Sequence, residues 1–253
     1  MFDAEGSLNA WRGTSNAEMS GAMLAMRGAS PAVGSALQEA HFKALAQACV
    51  LSQSMATDMV HEWRLAGVEV DDIYLVGITE TAQLMGQWWC EDLLDFATAT
   101  LSFYRLHQLL YELSPYFFEQ STQEGQGLSC FMVGEFGGQH TLGLFMLTEF
   151  FRRDGWRVRS DECEDGRDLL RIVASDWFDV LTLSISTDRQ LDLFRRLMPF
   201  IRKQSANPNL RIMAGGPMAS WRPEAMNVLG VDVVDKDAKR ALKRALALMG
   251  RAV

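Results

Sequence analysis

The chain has 253 residues, of which 48% are hydrophobic and 22% are charged, and its formal net charge is −8. This composition is typical of a folded globular protein and excludes a disordered or low-complexity chain. The excess of 32 acidic over 24 basic residues disfavours general binding to nucleic acid. A chain of this length forms one large domain or two domains of ordinary size.

The sequence lacks the features of a membrane or secreted protein. No apolar run approaches the ~20 residues that a membrane-spanning helix needs, and the N-terminal stretch MFDAEGSLNAWRG has no basic segment followed by an apolar one. The four cysteines, Cys49, Cys90, Cys130 and Cys163, are widely separated and form no CxxC pair. We therefore expect a cytoplasmic protein without a disulfide framework or a zinc site.

Charge is distributed unevenly along the chain. Residues 36–115 hold eleven acidic and three basic residues, whereas residues 116–253 hold eighteen acidic and nineteen basic ones. Such a shift indicates two domains with different surfaces. We predict a flexible N-terminal arm at 1–35, a helical domain at 36–115, a linker at 116–126 and an α/β domain at 127–253.

The segment 36–115 predicts helices only, because its apolar residues recur every three or four positions and no strand-like alternation intervenes. Asp71 or Asp72 is a candidate N-cap for the helix that follows. About four helices form a small bundle here. We expect the last of them to end before Pro115, because the residue preceding a proline avoids the helical conformation.

From Leu128 the pattern changes to alternating strands and helices. Five apolar segments of strand length alternate with five amphipathic segments of helical length. This alternation predicts an α/β fold with a parallel, doubly wound sheet of the flavodoxin-like type and helices on both faces. The predicted strands lie within 128–135, 156–160, 179–186, 210–216 and 231–237.

Three segments fall where predicted strands end, which is the edge at which doubly wound sheets bind their ligands. The first is the loop 134–143, which contains His140, the second is Ser184-Ile185-Ser186, and the third is Gly215-Gly216-Pro217. A neutral imidazole is a good ligand for a transition metal. Glycine lets a backbone approach a ligand closely, and small hydroxylic residues suit a narrow polar channel.

The order and spacing of these segments resemble the cobalamin-binding domains with the Asp-x-His-x-x-Gly, Ser-x-Leu and Gly-Gly pattern. In that family the histidine replaces the cofactor's own dimethylbenzimidazole on cobalt, and the displaced nucleotide tail runs beside the sheet. The resemblance implies that His140 is the lower axial ligand of cobalt, whereas the upper ligand (hydroxo, methyl or adenosyl) stays open. It implies a cofactor-binding set that also contains Gly138, Gln139, Thr141, Leu142, Gly143, Ser184, Ser186, Gly215 and Gly216.

Two positions depart from the family pattern. The aspartate that precedes the histidine by two residues is Gly138 here, and the leucine of Ser-x-Leu is Ser186. The aspartate normally accepts a hydrogen bond from the distal imidazole nitrogen, as carboxylates beside metal-bound histidines do. Without it we expect a weaker bond from His140 to cobalt, or a histidine that is oriented by the backbone or by Glu135.

The stretch GGQHTLGLFMLTEFFRRDGW, at 137–156, is similar to the motif of the AerR/PpaA antirepressors of photosynthesis genes in purple bacteria, and the helical stretch 86–106 is similar to their helical domain. This resemblance implies a light- or oxygen-linked transcriptional regulator that is not an enzyme and that contacts a repressor protein. It implies a helical domain over the upper face of the corrin, with Trp89 and Phe96 as predicted contacts. Trp88 points about 100° away from Trp89 and is predicted to pack against a neighbouring helix.

Two other functions stay open on the sequence. One is the corrinoid shuttle subunit of a methyltransferase system, which shares the layout of a helical domain and a sheet domain, although the missing aspartate at Gly138 counts against it. The other is a haem-binding sensor of the same fold, because imidazole also binds iron. All three hypotheses predict no membrane association and at most weak or indirect contact with nucleic acid.

Overall fold

The computed structural model of the protein describes residues 36–119, 121, 125, 127–136, 142–160 and 163–251. The chain divides into two compact units, Met1–Tyr116 and Phe117–Val253. The predicted arm at 1–35 lies outside the described residues, so its flexibility stays a prediction.

The first unit is helical throughout its described residues. Trp63, Tyr74 and Leu106 are fully buried at its core, and the Tyr74 hydroxyl donates a hydrogen bond to the Leu110 carbonyl at 3.0 Å. If the contiguous turns of α3 count as one helix, these residues contain the four helices expected from the sequence. The helices are α1 (Glu39–Leu51), α2 (Gln53–Leu65), α3 (Val70–Asp72, the π-helical Ile73–Ile78 and Thr79–Cys90 in direct succession) and α4 (Phe96–Glu119).

The expected cap of α3 is wrong by two or three residues. The helix begins at Val70 after Glu69, and Asp71 and Asp72 lie in its first turn without capping it. Val70 is buried, so including it in the helix removes apolar surface from water. The two carboxylates in the first turn interact favourably with the positive end of the helix dipole.

The expected end of the last helix at Pro115 is also wrong, because α4 continues through the proline to Glu119. Residues 116–119 of the predicted linker are therefore helical. Contacts of the residues that follow the proline stabilise the extra turn: the Arg64 guanidinium lies 3.2 Å from the Tyr116 ring centroid, and Phe117 is fully buried. Tertiary packing thus outweighs the local cost of a proline inside a helix.

The second unit is the predicted parallel α/β fold. Its five strands pair in the order β2-β1-β3-β4-β5, and all four pairings are parallel, so the flavodoxin-like sheet is confirmed. The strands are β1 (Ser129–Val133), β2 (Arg157–Arg159), β3 (Val180–Ser184), β4 (Arg211–Gly215) and β5 (Val233–Val234). The helices are α5 (Leu142–Arg153), α6 (Gly166–Ser175), α7 (Asp188–Gln204), α8 (Pro217–Trp221), α9 (Pro223–Met226) and α10 (Ala238–Leu248).

Alternate residues of the strands supply two apolar layers. Phe131 and Leu183 belong to the layer that also contains Phe194 of α7, whereas Met132 belongs to the layer that contains Phe151 of α5. Because both faces of each central strand are covered, the strands read as continuous apolar runs in the sequence. The carboxyl ends of β1, β3 and β4 consequently lie at one edge of a rigid, buried sheet.

Candidate cofactor-binding site

The strand order places a topological switch point between β1 and β3. The chain leaves β1 toward β2 on one side and later enters β3 on the other. Ligands of doubly wound sheets bind in the crevice outside the carboxyl ends of the strands at such a point. The residues that leave these strands, Gly134 after β1 and Ile185 after β3, therefore lie where the sequence predicts a cofactor.

The second and third predicted segments meet directly. Ser184 pairs with Gly215 in the register of β3 and β4, and the Ile185 N–H donates to the Gly215 carbonyl at 3.0 Å. The Met218 N–H then donates to the Ile185 carbonyl at 2.9 Å. The Ser184 region and the glycine pair therefore form one hydrogen-bonded corner of the sheet.

The glycines at this corner are required by the protein's own packing. Gly216 has φ +87°, and a Cβ added there would lie 2.6 Å from the Ile185 nitrogen and 2.8 Å from the Ser184 Oγ. A Cβ added to Gly215 would lie 2.5 Å from the Asp235 carbonyl oxygen. The sequence analysis predicts close approach to a ligand at both glycines, and the structure adds close approach of β3 and of the end of β5.

The chain after β3 turns into α7 through a capping box. The Thr187 Oγ1 accepts from the Gln190 N–H at 3.3 Å, and the Gln190 Oε1 accepts from the Thr187 N–H at 3.1 Å and from the Ser186 N–H at 2.7 Å. Ser186 and Gln190 are both buried. Gln190 was not among the residues predicted from the sequence, although the spacing Thr-x-x-Gln ahead of an apolar helix is a recognised capping signal.

The histidine loop is described only at its two ends. Gly138, Gln139, His140 and Thr141 lie outside the described residues, so the assignment of His140 as axial ligand stays a prediction. Before the gap, the Phe136 ring lies 5.5 Å from the ring of Phe194 on α7.

After the gap, Leu142 and Gly143 open α5. No described atom lies within 4 Å of a Cβ added to Gly143. None of the described residues therefore fills the space beside Gly143, which agrees with room for a ligand at that position.

The end of β5 is fixed by an ion-pair cluster that the sequence did not reveal. The Asp235 side chain is only 1% exposed and lies 2.6 Å from the Arg240 Nη2 and 3.3 Å from the Arg244 Nε. Burial alone raises the pKa of Asp235, but hydrogen bonds from Arg240 and the Asp237 N–H, with the charges of Arg240 and Arg244, lower it below its ordinary value. The cluster holds the Asp235 backbone beside Gly215.

The two aromatic contacts predicted in the helical unit are exposed on that unit. Trp89 is 49% exposed and Phe96 is 72% exposed, whereas Trp88 is 5% exposed. The neighbouring tryptophans thus point in different directions, as the helical geometry requires. The role of Trp89 and Phe96 in cofactor binding stays a prediction.

The described residues offer no alternative metal site. No group of three or more His, Cys, Asp or Glu side chains within them could hold a metal ion. Burial raises the pKa of the Cys49 and Cys130 thiols to about 12, so both stay protonated and bind metals poorly.

No described helix is both long and apolar enough to cross a bilayer.

The corner therefore suits an organic cofactor with a slender polar substituent. Ser184 places a hydroxyl against Gly216, Gly143 has open space, and the buried Gln190 Nε2 has no hydrogen-bond partner among the described residues. An unpartnered buried donor is the feature expected where a polar ligand group binds. These residues fit a corrinoid with a nucleotide tail.

Comparisons with known proteins agree with this geometry. Residues 131–246 match the family model described as "B12 binding domain". An "Uncharacterized 20.5 kDa protein in bchF-crtJ intergenic region" of Rhodobacter capsulatus is 28% identical over 176 residues, which cover 70% of this chain and 91% of that protein. The structure of the Methanosarcina barkeri monomethylamine corrinoid protein is similar with a TM-score of 0.67 and 19% identity, over 83% of this chain and 98% of that one.

The similarity to the monomethylamine corrinoid protein concerns the fold, since the sequences are only 19% identical. The family match begins within β1, ends within α10 and includes all three strand-end segments. It confirms the resemblance that the order and spacing of those segments indicated. In sequence, residues 131–246 are therefore similar to B12-binding domains.

Proposed function

We propose that this protein binds cobalamin in its α/β unit and regulates transcription by contact with a repressor protein. The observation that carries the proposal is the match of residues 131–246 to the B12 binding domain, together with the corner formed by Ser184, Gly215 and Gly216. The relative from the bchF–crtJ region of photosynthesis genes supports the regulatory part, because an antirepressor of such genes belongs in that setting.

Each residue of the site has a distinct task in the proposed complex. His140 binds cobalt through an imidazole nitrogen, as a neutral histidine does. Gly143 leaves room at the start of α5, and the hydroxyls of Ser184 and Ser186 contact the polar tail. Bound cobalamin would supply cobalt chemistry that responds to light or to chemical conditions.

The helical unit contributes aromatic side chains to the same proposal. Trp89 and Phe96 are exposed on that unit, and a large exposed aromatic is typical of a ligand or protein contact. Trp89→Ala is expected to speed loss of cobalamin, whereas Tyr104→Ala, which removes an aromatic that is 60% exposed on α4, leaves the rate unchanged. Equal rates in Trp89→Ala and wild type would remove Trp89 from the site.

The acidic helical unit also suits contact with a basic protein. Residues 36–115 hold eleven acidic and three basic residues, and complementary charge speeds and orients association. A repressor that binds DNA carries basic residues for the phosphates. An acidic surface that occupies those residues competes with DNA, which is one physical route to antirepression.

The first experiment is an absorption spectrum of the purified protein mixed with cobalamin. We expect bound cobalamin with a spectrum shifted from that of the free cofactor. His140→Ala is expected to change the visible band and weaken binding, whereas His61→Ala, in the helical unit, is expected to change neither. A Soret band in the protein as purified would identify haem instead, and an unchanged spectrum and affinity in His140→Ala would show that cobalamin binds without this ligand.

A further inference from the structure

The Gln190 side chain is held in one orientation by the backbone. Its Oε1 accepts hydrogen bonds from the Ser186 N–H at 2.7 Å and from the Thr187 N–H at 3.1 Å, and it lies 3.5 Å from the Thr187 Oγ1. Rotation of the amide by 180° would place its NH₂ group against two N–H donors. The hydrogen-bond network therefore assigns oxygen to this side and nitrogen to the other.

The nitrogen of the same amide is buried without a partner. Gln190 is 6% exposed, and its Nε2 is closed to solvent and has no acceptor among the described residues. A buried donor that makes no hydrogen bond destabilises a folded protein. Such a group stays in a fold when it serves a ligand or another functional contact.

The amide lies beside the site described above. Gln190 lies in the first turn of α7, and its Oε1 accepts from the Ser186 N–H beside the corner where Ser184 lies against Gly216. One helical turn further along α7, the Phe194 ring contacts the Phe136 ring at the start of the histidine loop. The unpartnered nitrogen is therefore part of the switch-point edge of the sheet.

We propose that the Gln190 Nε2 donates a hydrogen bond to the nucleotide portion of the bound corrinoid. The inference rests on the proposed cobalamin binding and adds a contact to it. The nucleotide tail is the narrower part of a corrinoid, and it carries ring nitrogens and oxygens that accept hydrogen bonds. Asp188, in the same helical turn, pairs with the exposed Arg222 guanidinium at 2.7 Å, so this carboxylate has a partner away from the Gln190 amide.

The variant Gln190→Glu isolates this donor. It keeps an oxygen for the Ser186 and Thr187 N–H groups and replaces only the NH₂ group. We expect cobalamin to bind about tenfold more weakly or worse, the effect of losing one buried hydrogen bond. Cobinamide, which has the same corrin ring but no nucleotide, is expected to bind the variant as it binds the wild type.

Two further variants control for charge and for folding. Gln204→Glu adds the same charge to the exposed last residue of α7, and it is expected to bind both corrinoids normally. Gln190→Met removes the donor without adding charge, and it is expected to lose affinity for cobalamin but not for cobinamide. Circular dichroism of each variant without ligand verifies that the α/β unit is folded.

The outcomes separate the inference from the function on which it rests. If the wild type binds neither corrinoid, the proposed function fails. If the wild type binds cobalamin and Gln190→Glu and Gln190→Met bind it equally well, the inference is wrong. Equal weakening of cobalamin and cobinamide also overturns it, because the amide would then act on the corrin ring or on the fold.

Discussion

Gly216 combines a left-handed backbone conformation with tight packing. Its φ of +87° is a conformation that only glycine adopts without cost, and a Cβ there would lie 2.6 Å from the Ile185 nitrogen. Gly230 has φ +65° with nothing within 4 Å of an added Cβ. An alanine at Gly230 therefore tests the left-handed conformation alone, whereas an alanine at Gly216 also tests the steric clash.

Gly230→Ala is expected to destabilise the folded protein by about 1 kcal/mol, the cost of a left-handed conformation for an alanine. Gly216→Ala is expected to cost about 3 kcal/mol, because β3 has to move to accommodate the methyl group. Chemical denaturation followed by circular dichroism measures both. Equal losses of stability in the two variants would show that β3 accommodates the added methyl group at no cost in free energy.

The Asp235 cluster makes the α/β unit sensitive to acid. The pKa of Asp235 is lower in the folded protein than its ordinary value of 3.8, so the carboxylate binds protons more readily in the unfolded chain. Its contribution to stability is complete above that ordinary value and is lost as the pH falls through the lowered one.

Asp235→Asn is expected to reduce the free energy of unfolding at pH 7 by about 1.5–3 kcal/mol, since two arginines lose a buried anion. It is also expected to flatten the loss of stability below about pH 4. Asp192→Asn, which breaks an exposed pair with Arg195, is expected to change stability by less than about 1 kcal/mol. Denaturation at a series of pH values tests both variants, and an unaltered acid limb in Asp235→Asn would contradict the assignment.

Some of these residues are predictable from the sequence, and others are not. Ser184, Gly215 and Gly216 follow predicted strands, so their meeting at one edge is predictable from parallel topology alone. The unpartnered nitrogen of Gln190 is not predictable, because it depends on which atoms surround the amide after folding. The same holds for Asp235, whose partners Arg240 and Arg244 come from the next helix.

At the scale of elements, the start of α7 is the part of the site most open to a stability test. Thr187 caps the helix through its Oγ1, which accepts from the Gln190 N–H at 3.3 Å. Thr187→Ala is expected to lower stability by about 1 kcal/mol. Thr187→Ser keeps the hydroxyl and is expected to stay close to wild type, so denaturation midpoints that are equal in the two variants would contradict the capping role.

Elements with local signals are predictable, and those that depend on tertiary contacts are not. The parallel sheet follows from five apolar segments, and the structure confirms it. The continuation of α4 through Pro115 depends on the burial of Phe117, and no local sequence pattern predicts this continuation. The π-helical stretch Ile73–Ile78 is equally unpredictable from the sequence. A Cβ on its Gly77 would lie 3.0 Å from the Trp63 ring, which shows how closely this segment packs.

At the scale of the whole molecule, charge divides the chain more clearly than any single motif. The basic side chains of α10 are not all free to bind phosphate, because Arg240 and Arg244 form ion pairs with Asp235. Phosphate-driven DNA binding requires clustered bases that are free to release counterions. A chain with a net charge of −8 is therefore expected to influence DNA through another protein.

A mobility-shift assay on a candidate promoter tests this expectation with three samples: this protein alone, a repressor alone, and the two together. We expect no sequence-specific shift with this protein alone, and a repressor shift that changes when the cobalamin-loaded protein is added. The change is expected to differ between dark and light, because a ligand biases two states only through unequal contacts with them. Cobalamin-free protein is the control for the cofactor.

Ionic strength tests whether the acidic helical unit makes the contact. Residues 36–115 carry the excess negative charge, so raising the salt from about 0.05 M to about 0.5 M is expected to weaken the complex with the repressor. The complex itself is measured without DNA, because salt also weakens the DNA contact. Tight, specific DNA binding by this protein alone would refute the regulatory proposal, as would a repressor whose DNA affinity ignores this protein under every cobalamin and light condition.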